Sequence, residues 1–334
     1  MEAITQLTLP RKPNNESQLY PLPSIPEFKE REIREALLDE VTSHCCYGSK
    51  AAKNMQFTSI KHSIAFQYAL ETFTEKRTTN WITEPYCIQN GFIDRQDDNN
   101  PPPDLWDVPA QPKIYFKNCV YQQELPHTAA VETCDECDGE GKYECPTCLG
   151  QGWEFCPYCH GNKYNPLYTD SFDGDCNKCD SGERTCWECN GDEDVCCKTC
   201  TGTGEMKSYI KLMVVWDNNV DDHVVVEKSV GLTADQIRNV SGSVACEEEG
   251  ISLLPLNHFP IATVVKASEH LIQLHKQKFE DTKVLKQRHR VYLIPVATVN
   301  YTWKEYEGVF YVYGYEKEAY VPDYPEKCRC CSIL

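Results

Sequence analysis

The chain has 334 residues, with 51 Asp or Glu against 33 Lys or Arg and a formal net charge of −18. That balance excludes the cationic footprint from which polyphosphate-binding proteins draw their affinity. No stretch approaches the roughly 20 apolar residues of a membrane-spanning helix, and the opening Met1-Glu-Ala-Ile-Thr-Gln6 lacks the basic region and apolar run of a secretory signal. The 21 cysteines are therefore expected in a reducing cytosol, where paired cysteines favour metal over disulfides.

Residues 1–25 are rich in proline and polar spacers and read as a disordered tail. Phe28 to Tyr47 has helical periodicity, with Ile33, Leu37, Val41 and His44 or Cys45 on one face and Gly48 as the stop. Cys45 and Cys46, near its end, read as core. Ile64, Phe66, Tyr68 and Leu70 alternate with smaller or polar residues, as in a half-buried strand. Asp94 to Asp104 is a loop by composition, and a strand is expected at Lys113-Ile-Tyr-Phe-Lys117.

Six Cys-x-x-Cys pairs follow: Cys134/Cys137, Cys145/Cys148, Cys156/Cys159, Cys176/Cys179, Cys186/Cys189 and Cys197/Cys200, most followed by glycine. A two-residue gap bends the chain so that two thiolates point at one ion, and two such knuckles complete a tetrahedral zinc site. Glycine allows the backbone to wrap the metal closely. Twelve cysteines thus make three four-Cys sites for three zinc ions. The longest gap between repeats lies in the middle, so a chain that runs out, turns at 160–175 and returns would nest them. Cys134, Cys137, Cys197 and Cys200 would then share one ion, Cys145, Cys148, Cys186 and Cys189 the second, and Cys156, Cys159, Cys176 and Cys179 the third. Sequential pairing is the alternative.

From Glu132 to Glu205 there are 17 acidic against 5 basic residues, which disfavours nucleic acid and a zinc-finger nuclear regulator, and suits basic or unfolded polypeptide partners. Trp153, Tyr158 and Trp187 offer an apolar partner surface, although packing between knuckles explains them equally. His160 reads as a turn residue, and Cys196 as a bystander beside Cys197.

Beyond the knuckles, Tyr209 to Trp216 and His223 to Glu227 are expected to form a β-hairpin around Asp217-Asn-Asn219. Thr233-Ala-Asp-Gln236 is a capping box opening a short helix. A helix across Ala267–Phe279 faces Leu271, Leu274 and His275 inward, and strands follow at Arg290–Thr298 and Gly308–Tyr315. The expected fold is α+β: a mixed strand/helix body of two segments, 26–130 and 206–322, from which the metal-bound segment at 131–205 protrudes as an insertion.

The last residues, Cys328-Arg-Cys330-Cys331-Ser-Ile-Leu334, fit a prenylation box apart from the serine, and leucine favours geranylgeranyl at Cys331. One lipid chain gives only marginal membrane binding, so Cys328 and Cys330 are expected to be palmitoylated, making 323–334 a lipidated tail on a cytosolic membrane face.

The CxxCxGxG repeats resemble the cysteine-rich domain of DnaJ co-chaperones over about a fifth of the chain. The match is tight at the first, second and sixth repeats. The third lacks its final glycine, the fourth is shifted to Cys-x-x-Cys-x-x-Gly and the fifth ends Gly-Asp-Glu. The resemblance implies an extended hairpin that binds unfolded clients. No His-Pro-Asp tripeptide of a J domain occurs. The repeats with their flanks resemble the Ssu-two homolog family of animals and plants, which implies architecture more than activity.

No phosphate loop, nucleophile elbow or His-Glu-x-x-His motif is present, and no small-molecule substrate is evident. The expectation is a non-catalytic, zinc-stabilised, chaperone-like adaptor in the cytoplasm, with the nucleus as a second location. Its rival is a thiol-disulfide oxidoreductase using CxxC pairs, which needs thiolates activated by positive surroundings.

Overall fold

The computed structural model describes residues 22–87, 93–95, 100–164, 175–227 and 230–327. Their regular secondary structure is mostly strand, with four helices, and they divide into two compact units. Two long strands, β1 (Gln56–Pro85) and β8 (Glu205–Val225), have a stretch in each unit.

The first unit comprises Met1–Lys76, Pro112–Cys119 and Trp216–Leu334. Its sheet places β1 between β8 and β10 (Lys283–Trp303). β11 (Tyr306–Tyr313) and β12 (Glu318–Tyr320) follow β10 in order, and β9 (Ser243–Gly250) also pairs with β10. The antiparallel register sets Phe66 against Leu293 and Tyr68 against Val291. Because side chains alternate across a strand, these residues point to one face, and Ala65 with its partner Ile294 to the other. Both faces are covered.

Helix α1 (Glu30–Ser43) presents Ile33, Leu37 and Val41 to Ala297, Val299, Tyr301, Phe310 and Val312, with α2 (Lys50–Asn54) adding Ala51 and Ala52. On the same face, α4 (Ala262–Lys278) sets Val264, Ala267 and Leu271 over Phe66, Tyr68, Val291 and Leu293. The opposite face packs Ala65, Ile294 and Val296 under Ile237 of α3 (Ala234–Arg238). Full burial of one such Leu or Ile side chain stabilises by roughly 1.5–3 kcal/mol.

Several expected elements take a different form. The Asp217-Asn-Asn219 turn does not exist: β8 runs straight through it. Its N–H donors are met by partners far away in sequence. The Asn218 amide group donates to Glu71 (2.8 Å), the Asn218 backbone N–H to Asn118 (2.6 Å), and the Asn219 side chain to the Thr72 carbonyl (3.2 Å). The expected strand at 113–117 is a turn, with Phe116 at φ 58°. There the rings of Tyr115 and Phe116 lie 5.8 and 5.9 Å from Phe73. They are capped by Lys286 and Arg288, at 4.6 and 4.1 Å from the two rings.

β1 extends well beyond its expected 64–70 core, and β10 beyond 290–298. Helix α1 stops at Ser43, so His44 and Cys45 lie outside it and are exposed rather than core. Helix α4 begins five residues early and leaves Leu274 exposed, while His275 is buried as expected. The capping box opens α3 as written: Thr233 accepts from the Gln236 backbone (3.3 Å), and Gln236 accepts from the Thr233 backbone (2.8 Å).

The second unit comprises Arg77–Gln111 and Val120–Val215. β2 (Cys119–Glu124) neighbours β8, and β3 (Ala130–Thr133) pairs with Glu205–Ser208 at the start of β8. Further along, β4 (Lys142–Glu144) pairs with β7 (Asp194–Cys196), and β5 (Trp153–Phe155) with β6 (Glu183–Thr185). The three antiparallel pairs are nested in sequence, and all six knuckles sit between them. None of the described helices is long and apolar enough to cross a membrane.

Candidate metal centre

The nested pairing brings twelve thiols into three groups: Cys134, Cys137, Cys197 and Cys200; Cys145, Cys148, Cys186 and Cys189; Cys156, Cys159, Cys176 and Cys179. Within each group all four sulfurs lie within 4.8 Å of one another. Facing pairs are 3.9 and 3.7 Å apart in the first group, 3.7 and 3.6 Å in the second, and 3.9 and 3.6 Å in the third. A tetrahedral ion with bonds of about 2.3 Å needs sulfurs about 3.8 Å apart. The donor set and its spacing therefore fit zinc, and four thiols per group leave no open coordination position.

Local backbone chemistry explains the grouping. The first cysteine of each knuckle donates its N–H to a carbonyl in the facing knuckle, and the bond is returned. Cys134 donates to Gly204 and Cys197 to Gly141 (2.9 and 2.8 Å); Cys145 donates to Glu193 and Cys186 to Gly152 (both 2.9 Å); Cys156 donates to Gly182 and Cys176 to Lys163 (both 2.8 Å). Chains that approach this closely have no room for side chains. A Cβ on Gly141 would sit 2.4 Å from the Gly202 carbonyl oxygen, and one on Gly204 only 2.1 Å from that of Gly139. Both glycines also have positive φ and donate N–H groups to Cys137 and Cys200 sulfur at 3.2 Å. Gly152 does the same for Cys148. These bonds soften thiolate charge.

The third group departs from this plan where its sequence does. Lys163 stands where the third repeat would have its final glycine, at φ 63°. The fourth repeat returns its carbonyl from Gly182, six residues after Cys176, where the other knuckles use the seventh. Cys179 is half-exposed, unlike the other eleven.

The thiols of a group do not ionise alike. Burial alone would push Cys200 up. The Gly204 N–H, the Cys197 and Cys137 thiols and the Gly202 N–H together hold it down to about 6. Burial pushes the facing Cys137 up to about 11. In the third group burial alone would push Cys156 up, but the N–H groups of Tyr158 and Cys159 with the Cys179 and Cys159 thiols bring it to about 7, whereas burial takes Cys179 to about 12. Cys200 and Cys156 thus ionise readily, whereas Cys137 and Cys179 resist until a cation enters.

Several apolar side chains stand exposed around the second and third groups. Leu149, Phe155 and Trp187 are 70, 65 and 66% exposed, and Tyr158 and Tyr164 are exposed as well. Trp153 is half-buried, with its ring 5.3 Å from Phe155. Sequence reading singled out Trp153, Tyr158 and Trp187 but passed over Leu149 and Phe155. Leu149 follows a second cysteine directly, in the left-handed conformation that turns side chains outward there. Cys196 is exposed and outside the groups.

In the first unit, sequence reasoning missed a buried polar chain. Thr72 Oγ1 lies 2.7 Å from His275 Nδ1, and His275 Nε2 lies 2.8 Å from Asp221. The order hydroxyl–imidazole–carboxylate resembles an activated nucleophile. Thr72 is fully buried and also accepts from Gln287 at 3.0 Å, so the chain cements α4 to the sheet rather than meeting a substrate. Cys328, Cys330 and Cys331 fall outside the described residues.

Comparison with known proteins places the chain beside two relatives over most of its length. It is 35% identical over 312 residues to Protein SSUH2 homolog of Danio rerio, covering 93% of this chain and 83% of the relative. It is 31% identical over 314 residues to the protein of the same name of Homo sapiens, covering 93% and 81%. A Mus musculus protein of that name is 35% identical over 120 residues, 36% of this chain. No family model matches the chain, and no solved structure matches it.

Proposed function

The chain belongs to the SSUH2 homolog family, and on that premise we propose that it is a non-catalytic polypeptide-binding adaptor whose recognition segment is folded around three zinc ions. The observation that carries this reading is the combination of three closed four-thiol groups with exposed Leu149, Phe155 and Trp187 beside them. Four thiolates per ion complete the coordination shell, so the metal's role is structural. The apolar side chains are displayed on a segment that would otherwise be too thin to hold them in place. The nested strand pairs and glycine-bearing knuckles support a DnaJ-type cysteine-rich hairpin extended by one zinc. The acid-rich sequence around the patch favours partner segments that combine apolar and basic residues over nucleic acid.

A lipid tether completes the proposal. Cys331-Ser-Ile-Leu334, read as a carboxyl-terminal signal, directs geranylgeranylation of Cys331, with palmitoyl at Cys328 and Cys330 as the second anchor. This holds the adaptor at a cytosolic membrane face.

The low thiol values of Cys200 and Cys156 favour a second reading, thiol–disulfide exchange at a CxxC pair. Zinc-loaded full-length protein decides between them. The adaptor reading expects suppression of aggregation of a denatured client, lost in Phe155→Ser/Trp187→Ser with zinc content unchanged, and no insulin reduction. Insulin reduction by the zinc-replete protein, abolished by Cys200→Ser, would replace it with the oxidoreductase.

A further inference from the structure

Helix α1 ends at Ser43, and two adjacent cysteines occupy the tight turn behind it. The Tyr47 N–H donates to the His44 carbonyl at 3.1 Å, which makes Cys45 and Cys46 the central residues of that turn. Cys45 is exposed and Cys46 half-buried, and their sulfurs stand 3.4 Å apart. Neither belongs to the three four-thiol groups. The chain leaving the turn is fastened to residues 324–327. Tyr47 and Lys327 form an antiparallel bridge, and the Tyr47 ring stacks on that of Tyr324 at 5.3 Å. The Gly48 N–H donates to the Glu326 carbonyl at 3.1 Å, and the Ala51 N–H to the Glu326 carboxylate at 2.8 Å.

A disulfide bond is about 2 Å long, so sulfurs already 3.4 Å apart need to close by little more than about 1 Å. Adjacent Cα atoms are about 3.8 Å apart, below the roughly 4.4–6.8 Å at which bridged cysteines usually stand. A bond made across one peptide unit is therefore strained and readily reduced, as in regulatory rather than structural disulfides. The unequal exposure of the two thiols matches the two roles in such chemistry. An accessible sulfur meets the oxidant, and a sheltered neighbour resolves the product.

We propose that Cys45 and Cys46 are a thiol-redox modification site, closing reversibly to a vicinal disulfide in exchange with a low-molecular-weight disulfide such as that of glutathione, and that closure loosens the fastening of residues 324–327. The Cys45 thiolate attacks one sulfur of the glutathione disulfide, whose S–S bond breaks as one glutathione thiolate leaves. The Cys46 thiolate then attacks the Cys45 sulfur and expels the second glutathione thiolate. The protons given up by the two cysteines end on the two glutathione thiolates. Two cysteine thiols are thus oxidised and one glutathione disulfide is reduced. Ring closure rotates the peptide between Cys45 and Cys46, and the hydrogen bond from Tyr47 to His44 spans that peptide. Tyr47 in turn carries the bridge to Lys327 and the stack on Tyr324. The site is independent of the adaptor reading, because it shares no thiol with the three groups.

The test equilibrates the zinc-loaded, full-length chain with glutathione disulfide near neutral pH, blocks free thiols and maps the tryptic peptide Glu35–Lys50, which holds both cysteines. The parent should yield that peptide lighter by its two thiol hydrogens, with no glutathione attached, and dithiothreitol should restore it. Cys46→Ser should stop at glutathione bound to Cys45. Cys45→Ser should take up glutathione at Cys46 at least tenfold more slowly, because that sulfur is the sheltered one. Hydrogen exchange of the Gly48 and Ala51 amides should rise at least tenfold in the oxidised parent, and should not change in Cys45→Ser/Cys46→Ser treated alike. Glutathione retained on Cys45 of the parent, a disulfide from either cysteine to another part of the chain, or unchanged exchange in the oxidised parent would each overturn the proposal.

Discussion

The sheet of the first unit buries apolar side chains on both faces, from Ile33 and Leu37 under α1 to Ile237 under α3. The thiol-bearing segment of the second unit has almost nothing of the kind. Among the described residues, the partly buried apolar side chains packed against the cysteines are Tyr143 and Met206 around the first group and Val195 around the second. One region is held by area removed from water; the other gathers its thiols at three points where an ion would fit. The contrast teaches that the two should fail under different insults: loss of packing for the first, loss of metal or protonation of thiols for the second.

Metal removal is the largest way to separate them. A structural zinc contributes about 10–16 kcal/mol of apparent binding free energy in small modules, so a strong chelator should abolish hydrogen-exchange protection between Cys134 and Gly204. Protection of β10 and β11 should survive. Simultaneous collapse of both would erase the distinction. The converse perturbation is Leu37→Ala, at a fully buried position. It should cost about 2–5 kcal/mol in denaturant unfolding of the first unit and leave the zinc count unchanged.

The regions also differ in how they could be read. Knuckle chemistry is local: the Cys-x-x-Cys gap, the glycine that follows and the long central interval made the three-fold grouping legible. So did the Thr233 capping box, which needs only four residues. The sheet was legible only in fragments, because its decisive bonds are long-range. Asp217-Asn-Asn219 has the composition of a turn, and only Glu71, Thr72 and Asn118 make it a strand. Glu71 itself is buried because Arg288 and Arg290 come to it from β10, which no spacing rule announces. Lys113–Lys117 has strand composition, but its aromatic pair is drawn onto Phe73.

A smaller effect sharpens the comparison within the thiol-bearing segment. Gly141, Gly152 and Gly204 donate N–H groups to sulfur in the first two groups, whereas the third has a half-exposed Cys179 and a knuckle one residue short. Under limiting chelator the third group should lose its ion first. A competition titration in which Cys179→Ser removes the slowest-released ion instead would contradict that ranking.

The smallest expected effect is the pH response of the first unit. Burial lowers the imidazole pKa of His275 and of His289, against the pull of Asp221 and Glu248. A lowered folded-state value means that the unfolded chain takes the proton first. The stability is fully present above the ordinary imidazole value of about 6.5 and is lost as pH falls below it. Denaturant midpoints between pH 8 and 5 should therefore fall on the acid side, by at most about 1.4 kcal/mol per pH unit for each proton. The slope should flatten in His275→Gln/His289→Gln.

The central claim is that facing knuckles of a nested segment share an ion, and counting zinc in paired variants tests it most directly. Cys134→Ser and Cys200→Ser should each release one zinc, and the double variant should release that same single ion. Cys134→Ser/Cys145→Ser should release two. A double Cys134→Ser/Cys200→Ser variant that loses two ions, with Cys134→Ser/Cys145→Ser losing one, would show that neighbouring repeats pair in sequence and would contradict the nested architecture.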